Sequence, residues 1–387
     1  MISEPRNTLN TRNGKLTRRG FISDMVGMGA AAVAGCATDA GRDGSTSRPR
    51  GFMARGEIHA LLLHLGHNMW NDYLPEDMDN AILKDPTRTY EDGAVDTVLR
   101  NKDEFWNRAV VRMAEKRLNM LVIDLGEGLA YPSHPELAIK GSWTPERMRD
   151  EIERLNALGI EVIPKLNFST THNGWMKHYR RMVSTKPYYR MCEEVIADVA
   201  EIFGTPRFMH IGCDEETPGH QWMYRFVAFR KGELWRHDFL HIVGVCEKNG
   251  MRPWAWSDYG WNHPDFYEWC PKSVMMSNWY YDEQYGGFDL AANQTSDHAR
   301  LKGFYDLDKA GFDQIPCGTN WVGEVRERQK VGADDVIGKL VALCRRDISP
   351  QHLKGFLMAP WASCDTEANL KLNLRGIDLF AGALAGT

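Results

Sequence analysis

Residues 207–216 read Arg207-Phe208-Met209-His210-Ile211-Gly212-Cys213-Asp214-Glu215-Glu216. The run starts as an apolar β-strand and ends in three consecutive carboxylates. Side chains alternate along a strand, so Asp214 and Glu215 face different surroundings if the strand stays regular. Neighbouring carboxyls in unlike environments can hold different protonation states, which acid/base chemistry requires. The bland alternative is a solvated turn that caps the next helix. The rest of the chain decides between them.

Outward from this stretch, strand-like and helix-like segments alternate. Ile58 to His64, Met120 to Leu125, Ile160 to Phe168, Arg207 to Cys213, Pro253 to Ser257, Val274 to Trp279, Phe312 to Thr319 and Gly355 to Trp361 read as eight strands. Helical periodicity runs through Phe105, Val110, Met113 and Ala114, and through Val195, Ile196, Val199 and Ile202. Thr144-Pro145 is a capping residue followed by proline at the first helical position. Further helices are expected over 233–249, 299–310, 334–346 and 367–383. Alternating strand–helix units imply a parallel sheet, and eight of them imply an α/β fold closed as a (β/α)8 TIM barrel over residues 57–387. A doubly wound open sheet is disfavoured because no glycine-rich phosphate loop follows the first strand.

A barrel of this kind carries its site at the C-terminal ends of the strands. Those ends hold His64 and His67, Asp124 and Glu127, Asn167 and His172, then Asp214, Glu215 and Glu216. The later strands add Trp256, Asp258, Trp279, Tyr280, Tyr281, Trp321, Trp361 and Asp365. Carboxylates, amides and aromatic rings suit sugars, which present hydroxyl edges to hydrogen bonds and C–H faces to rings. A phosphate site would be richer in Arg and Lys.

His210-Ile211-Gly212-Cys213-Asp214-Glu215 resembles the His-x-Gly-Gly-Asp-Glu motif of the family-20 glycoside hydrolases, the β-N-acetylhexosaminidases. Val162-Ile163-Pro164-Lys165-Leu166-Asn167 with His172, Trp254-Ala255-Trp256-Ser257-Asp258, and Trp361 resemble that family's third, fifth and eighth strands. The resemblance implies a retaining, substrate-assisted mechanism, an exception to the two-carboxylate rule. The sugar's own acetamido oxygen attacks the anomeric carbon. Glu215 is then the general acid/base, its pKa raised by the ionised Asp214, and Asp214 orients the acetamido group. His210, His172, Asn167, Trp256, Asp258, Trp279, Tyr280 and Trp361 are the implied substrate contacts. No cofactor or metal is implied. Cys213, Asn167 and Lys165 depart from the family's Gly, Asp and Glu. His64-Leu65-Gly66-His67 stands where the family has an Arg that grips the sugar. These departures point to a different glycan, or to a glycan-binding barrel without catalysis. A metal hydrolase built on His64 and His67 is a third reading. No Gly-x-Ser-x-Gly elbow supports Ser-His-Asp chemistry.

Near the N-terminus, Thr17-Arg18-Arg19-Gly20-Phe21-Ile22 resembles a twin-arginine export signature, and Val33-Ala34-Gly35-Cys36 a bacterial lipobox. Together they imply an export signal over 1–36, lipidation of Cys36, a periplasmic or cell-surface location, and membrane contact through the lipid alone. Residues 37–56 read as a flexible linker. The other seven of the 8 cysteines are widely spread, which fits neither a disulfide framework nor a zinc site. Lys+Arg 47 against Asp+Glu 52 gives a net charge of -5, so nothing marks a nucleic-acid partner. Mean hydropathy is -0.45, and no apolar run reaches membrane-spanning length.

Overall fold

The computed structural model describes residues 53–72, 95–221, 224, 226–281, 296–321 and 336–386. Eight parallel strands form one sheet: β1 Ile58–His64, β2 Met120–Asp124, β3 Glu161–Lys165, β4 Phe208–Gly212, β5 Arg252–Trp256, β6 Met275–Ser277, β7 Cys317–Gly318 and β8 Gly355–Met358. Their order is β6-β5-β4-β3-β2-β1-β8-β7. The seam between β6 and β7 is closed by the bridges Met276 to Gln314 and Trp279 to Cys317. The chain is a (β/α)8 barrel.

The helices are α1 Asp103–Glu115, α2 Pro145–Ala157, α3 Lys186–Ile202, α4 Glu233–Lys248, the short α5 Tyr259–Asn262 and α6 Phe266–Trp269, α7 Ser296–Lys309, α8 Val336–Asp347 and α9 Glu367–Ala385. Thr144 caps α2 by accepting the Arg147 N–H, and Thr366 caps α9 by accepting that of Asn369. The sequence led to no helix between β5 and β6, where α5 and α6 lie. Their four-residue length leaves no helical period to read. β7 is also shorter than its apolar run, because Pro316 has no N–H to continue a ladder. Cys192, Cys246 and Cys344 are buried on α3, α4 and α8.

Strand side chains divide between two apolar layers. Outward residues such as Leu61, Leu63, Ile123 and Ile211 pack against the helices. Inward residues, among them Ala60, Leu62, Val122, Ile163, Phe208, Trp254 and Leu357, fill the barrel. Burial on both faces explains why the strands read as continuous apolar runs. Above this floor lies a polar layer in register. His64 pairs with Asp124, Asp124 with Lys165, and Lys165 with His210. The candidate site stands on that layer.

Candidate active site

At the end of β4 the ladder to β5 shifts register between His210 and Gly212. Past that point Gly212, Cys213 and Glu215 take positive φ, at 67°, 70° and 53°. A Cβ on Gly212 would lie 2.1 Å from Asn167 Oδ1, so only glycine fits there. Cys213 and Glu215 have no such excuse, and each left-handed non-glycine residue costs about 1–3 kcal/mol. The strain separates the two carboxylates that a regular strand would have placed on opposite faces. Asp214 turns inward and is buried, whereas the Glu215 side chain is 31% exposed.

Asn167, beyond the end of β3, fixes the inner carboxylate. Its Nδ2 donates to Asp214 Oδ1 at 2.7 Å, while its Oδ1 accepts the N–H groups of Ser169 (3.0 Å) and Cys213 (3.2 Å). An amide supplies a donor here that the acid expected from the family pattern would supply only when protonated. His172 stands between the carboxylates, with Nδ1 3.4 Å from Asp214 Oδ1 and Nε2 3.5 Å from Glu215 Oε2. Burial works against charging either partner, but their mutual attraction wins. Asp214 is held well below the usual carboxylate range, helped by Lys165 and Asn167, and His172 is raised above an ordinary histidine. His220 Nε2 approaches Glu215 from the outer side at 3.6 Å.

Asp258, just beyond β5, engages the main chain of the β4 tip. Its Oδ2 accepts the backbone N–H of Glu215 at 2.8 Å. Burial and the Asp214 charge push its pKa up to about 8. His210 lies in the floor. Its Nδ1 accepts the Gly212 N–H at 3.1 Å, and its ring packs 4.6 Å from Trp256. Burial, reinforced by Lys165, keeps it neutral.

The opposite wall is aromatic. Trp361 sits 5.9 Å from Trp256, 5.8 Å from His64 and 6.1 Å from Trp70, ring centre to ring centre. Its Nε1 donates to Tyr281 at 3.2 Å. Trp279 stacks on Tyr281 at 5.0 Å. Tyr280, which the sequence reading placed in the site, packs instead in the outer layer between sheet and helices. Alternation past β6 turns Trp279 and Tyr281 inward and Tyr280 outward. His64 and His67 are buried and neutral. Burial is the main cause for both, and His67 falls to about 3. Lys165 is wholly buried and paired with Asp124. Cys36 lies outside the described residues.

Among the described residues, His172, Asp214 and Glu215 bring ligand atoms within 4.8 Å of one another, close enough for a metal ion. Asp214 favours the protonated form of His172, and a cation there would compete with that proton. His64 and His67 are not part of that group. Sequence reasoning overlooked His220 and Thr171, whose hydroxyl donates to the Glu215 carbonyl at 2.8 Å. Thr171 adjoins His172 in sequence, the one available signal.

No family model matches the sequence, and no curated protein matches it either. Solved structures do match in fold. The family-20 β-N-acetylhexosaminidase from Streptomyces coelicolor A3(2) superposes with a TM-score of 0.55 at 14% identity, covering 84% of this chain and 64% of that one. The β-N-acetylhexosaminidase from Bacteroides fragilis gives 0.54 at 12%, covering 84% and 65%. A catalytic module of the pneumococcal exo-β-D-N-acetylglucosaminidase gives 0.52 at 12%, covering 85% and 83%. This chain therefore spans about two thirds of the first two proteins. At these identities the likeness is one of barrel architecture.

Proposed function

We propose that this chain is a retaining glycoside hydrolase that removes terminal β-linked N-acetylhexosamine with the help of the substrate's acetamido group. The observation that carries the reading is the tip of β4. A buried, ionised Asp214 and a partly exposed Glu215 flank one histidine there, His172, whose pKa Asp214 raises. Glu215 gives its proton to the glycosidic oxygen as that bond breaks. The acetamido oxygen closes on the anomeric carbon to form an oxazolinium ring, and Asp214 accepts the acetamido N–H and stabilises the developing positive charge. Glu215 then takes a proton from water as the water opens the ring. The substrates named for the structural neighbours support this choice of sugar.

A second reading, glycan binding without turnover, draws on the β1 wall. The histidines there are neutral, and Lys165 is engaged by Asp124. Turnover of an aryl β-N-acetylglucosaminide or galactosaminide by a chain starting after Cys36 separates the two. Glu215→Gln is expected to lower kcat by about 10²–10⁴ while leaving product binding nearly intact. Equal activity in both proteins would remove Glu215 from its role.

Twin-arginine export and a lipid anchor at Cys36 belong to the same proposal and are supported by sequence alone. Fatty-acid labelling of the wild type that is lost in Cys36→Ser is the expected result.

A further inference from the structure

We propose that Asp258 is a positioning residue for Glu215, holding the main chain of the β4 tip in the left-handed turn that sets the acid/base group. This rests on the reading of Glu215 as that group. Register between β4 and β5 ends at the pair Gly212 and Ala255, so the ladder offers the tip no further support. Side chains from both neighbouring strands take over. From β5, Asp258 Oδ2 accepts the Glu215 N–H at 2.8 Å. From the β3 loop, Thr171 Oγ1 donates to the Glu215 carbonyl at 2.8 Å, joined by the Thr217 N–H at 2.7 Å. Both polar groups of the Glu215 peptide are thus gripped while φ stands at 53°. An orientation fixed against backbone preference needs a fixed partner.

Among the described residues, the groups that act most on Asp258 include no cation. They are Asp214, Glu215 and Cys213 from the β4 tip and Tyr267 from α6. Burial and the two carboxylates therefore keep its carboxyl protonated at neutral pH. A protonated carboxyl still offers an oxygen to the Glu215 N–H, and its other oxygen, Oδ1, is buried without a partner among the described residues. Asparagine reproduces that state in shape and hydrogen bonding, and alanine removes the grip.

The test compares Asp258→Asn and Asp258→Ala by steady-state kinetics on the aryl glycoside and by amide hydrogen exchange of a peptide spanning 213–217. Asp258→Ala is expected to lower kcat about a hundredfold, the loss typical of a catalytic group displaced by about 1 Å, with KM little changed and exchange accelerated. Asp258→Asn is expected to keep kcat within about threefold of wild type at pH 6, with exchange protection intact. If asparagine fails as badly as alanine, the ionised carboxylate itself is needed and the proposal falls. It also falls if alanine raises KM while kcat and exchange stay put, the signature of a sugar ligand. Should the wild type lack turnover, exchange still decides. Protection lost in alanine keeps the grip and removes the hydrolase reading, whereas unchanged protection removes the grip. If the alanine variant does not fold, Thr171→Val removes one of the two donors on the Glu215 carbonyl, leaving the Thr217 N–H, and the same losses in smaller measure are expected. No change in either readout would overturn the proposal.

Discussion

The two walls of the site are built on opposite principles. On the β3–β5 side, charge is kept and shared. Asp214 is ionised, His172 is raised above an ordinary histidine by the Asp214 carboxylate once burial is overcome, and Asn167 and Asp258 hold the peptide around them. On the β1–β2 side, charge is suppressed or consumed. His64 and His67 are neutral, Asp124 is matched by Lys165 from the neighbouring β3, and Trp70 and Trp361 supply the surface. Both walls stand on the same polar layer, and each holds deeply buried ionisable groups, His172 and Asp214 on one and His64 and Asp124 on the other, so depth alone does not explain the difference. Partners do: a buried charge persists where an opposite charge or aligned donors meet it. The chemistry is therefore assigned to the first wall and sugar selection to the second.

Substitutions on the first wall are expected to have the largest effect. Asp214→Asn leaves a neutral amide where an anion should stabilise the acetamido group, and kcat should fall about 10²–10³-fold with little change in KM. A loss confined to KM would move Asp214 to the recognition side and break the contrast. Asn167→Asp sharpens it. The variant sets a second carboxylate 2.7 Å from Asp214 Oδ1, so one of the two must be protonated. The new group's folded pKa is raised above its unfolded value, so the variant's stability deficit should be greatest near pH 7 and shrink toward pH 4. Urea unfolding at the two pH values checks this, and about 1–3 kcal/mol is expected at pH 7. On the second wall, Trp361→Ala should raise KM about 2- to 10-fold and leave kcat nearly unchanged, as loss of one stacking surface implies.

The smallest effect compares the walls directly through pH. Asp258 is pushed up to about 8 and, on the other side, Glu127 to about 7, burial being the main cause for both. The folded chain then binds more protons than the unfolded chain across pH 4–8, so these groups make stability fall as pH rises through that window. His172, raised by Asp214 once burial is overcome, contributes stability below its ordinary value that is lost as pH climbs through its folded pKa. His64, His67 and His210 act in the opposite sense, but only below about pH 6.5. Tm should therefore drop by a few degrees between pH 6.5 and 8. Asp258→Asn and Glu127→Gln should each flatten part of that slope. A slope untouched by either would contradict the assigned shifts.

Much of the barrel was legible because its strands are apolar on both faces and its helices carry periodic apolar faces, with side-chain caps on α2 and α9. Leu61-Leu62-Leu63 and Thr144-Pro145 are signals that tertiary context did not override. The strand ends were legible as a set, since every polar cluster at a strand end falls on one side of a barrel. What could not be read was direction. Tyr280 and Tyr281 are adjacent and chemically alike, and only the exact register past β6 turns one outward and the other toward Trp361. Asp258 entered the implied substrate contacts through the resemblance of Trp254-Ala255-Trp256-Ser257-Asp258 to a family strand end. Its use on the Glu215 peptide depends on the left-handed turn, which a run of non-glycine residues does not announce.

The central claim is that the substrate's acetamido oxygen is the nucleophile, with Asp214 orienting it and Glu215 moving the proton. The most direct measurement is kcat/KM for aryl glycosides whose N-acetyl group carries zero, one, two or three fluorines. Fluorine draws electron density from the amide oxygen and weakens it as a nucleophile. The account predicts a steep, monotonic fall in rate across the series. A flat series would contradict it, because the attacking group would then belong to the protein or to water.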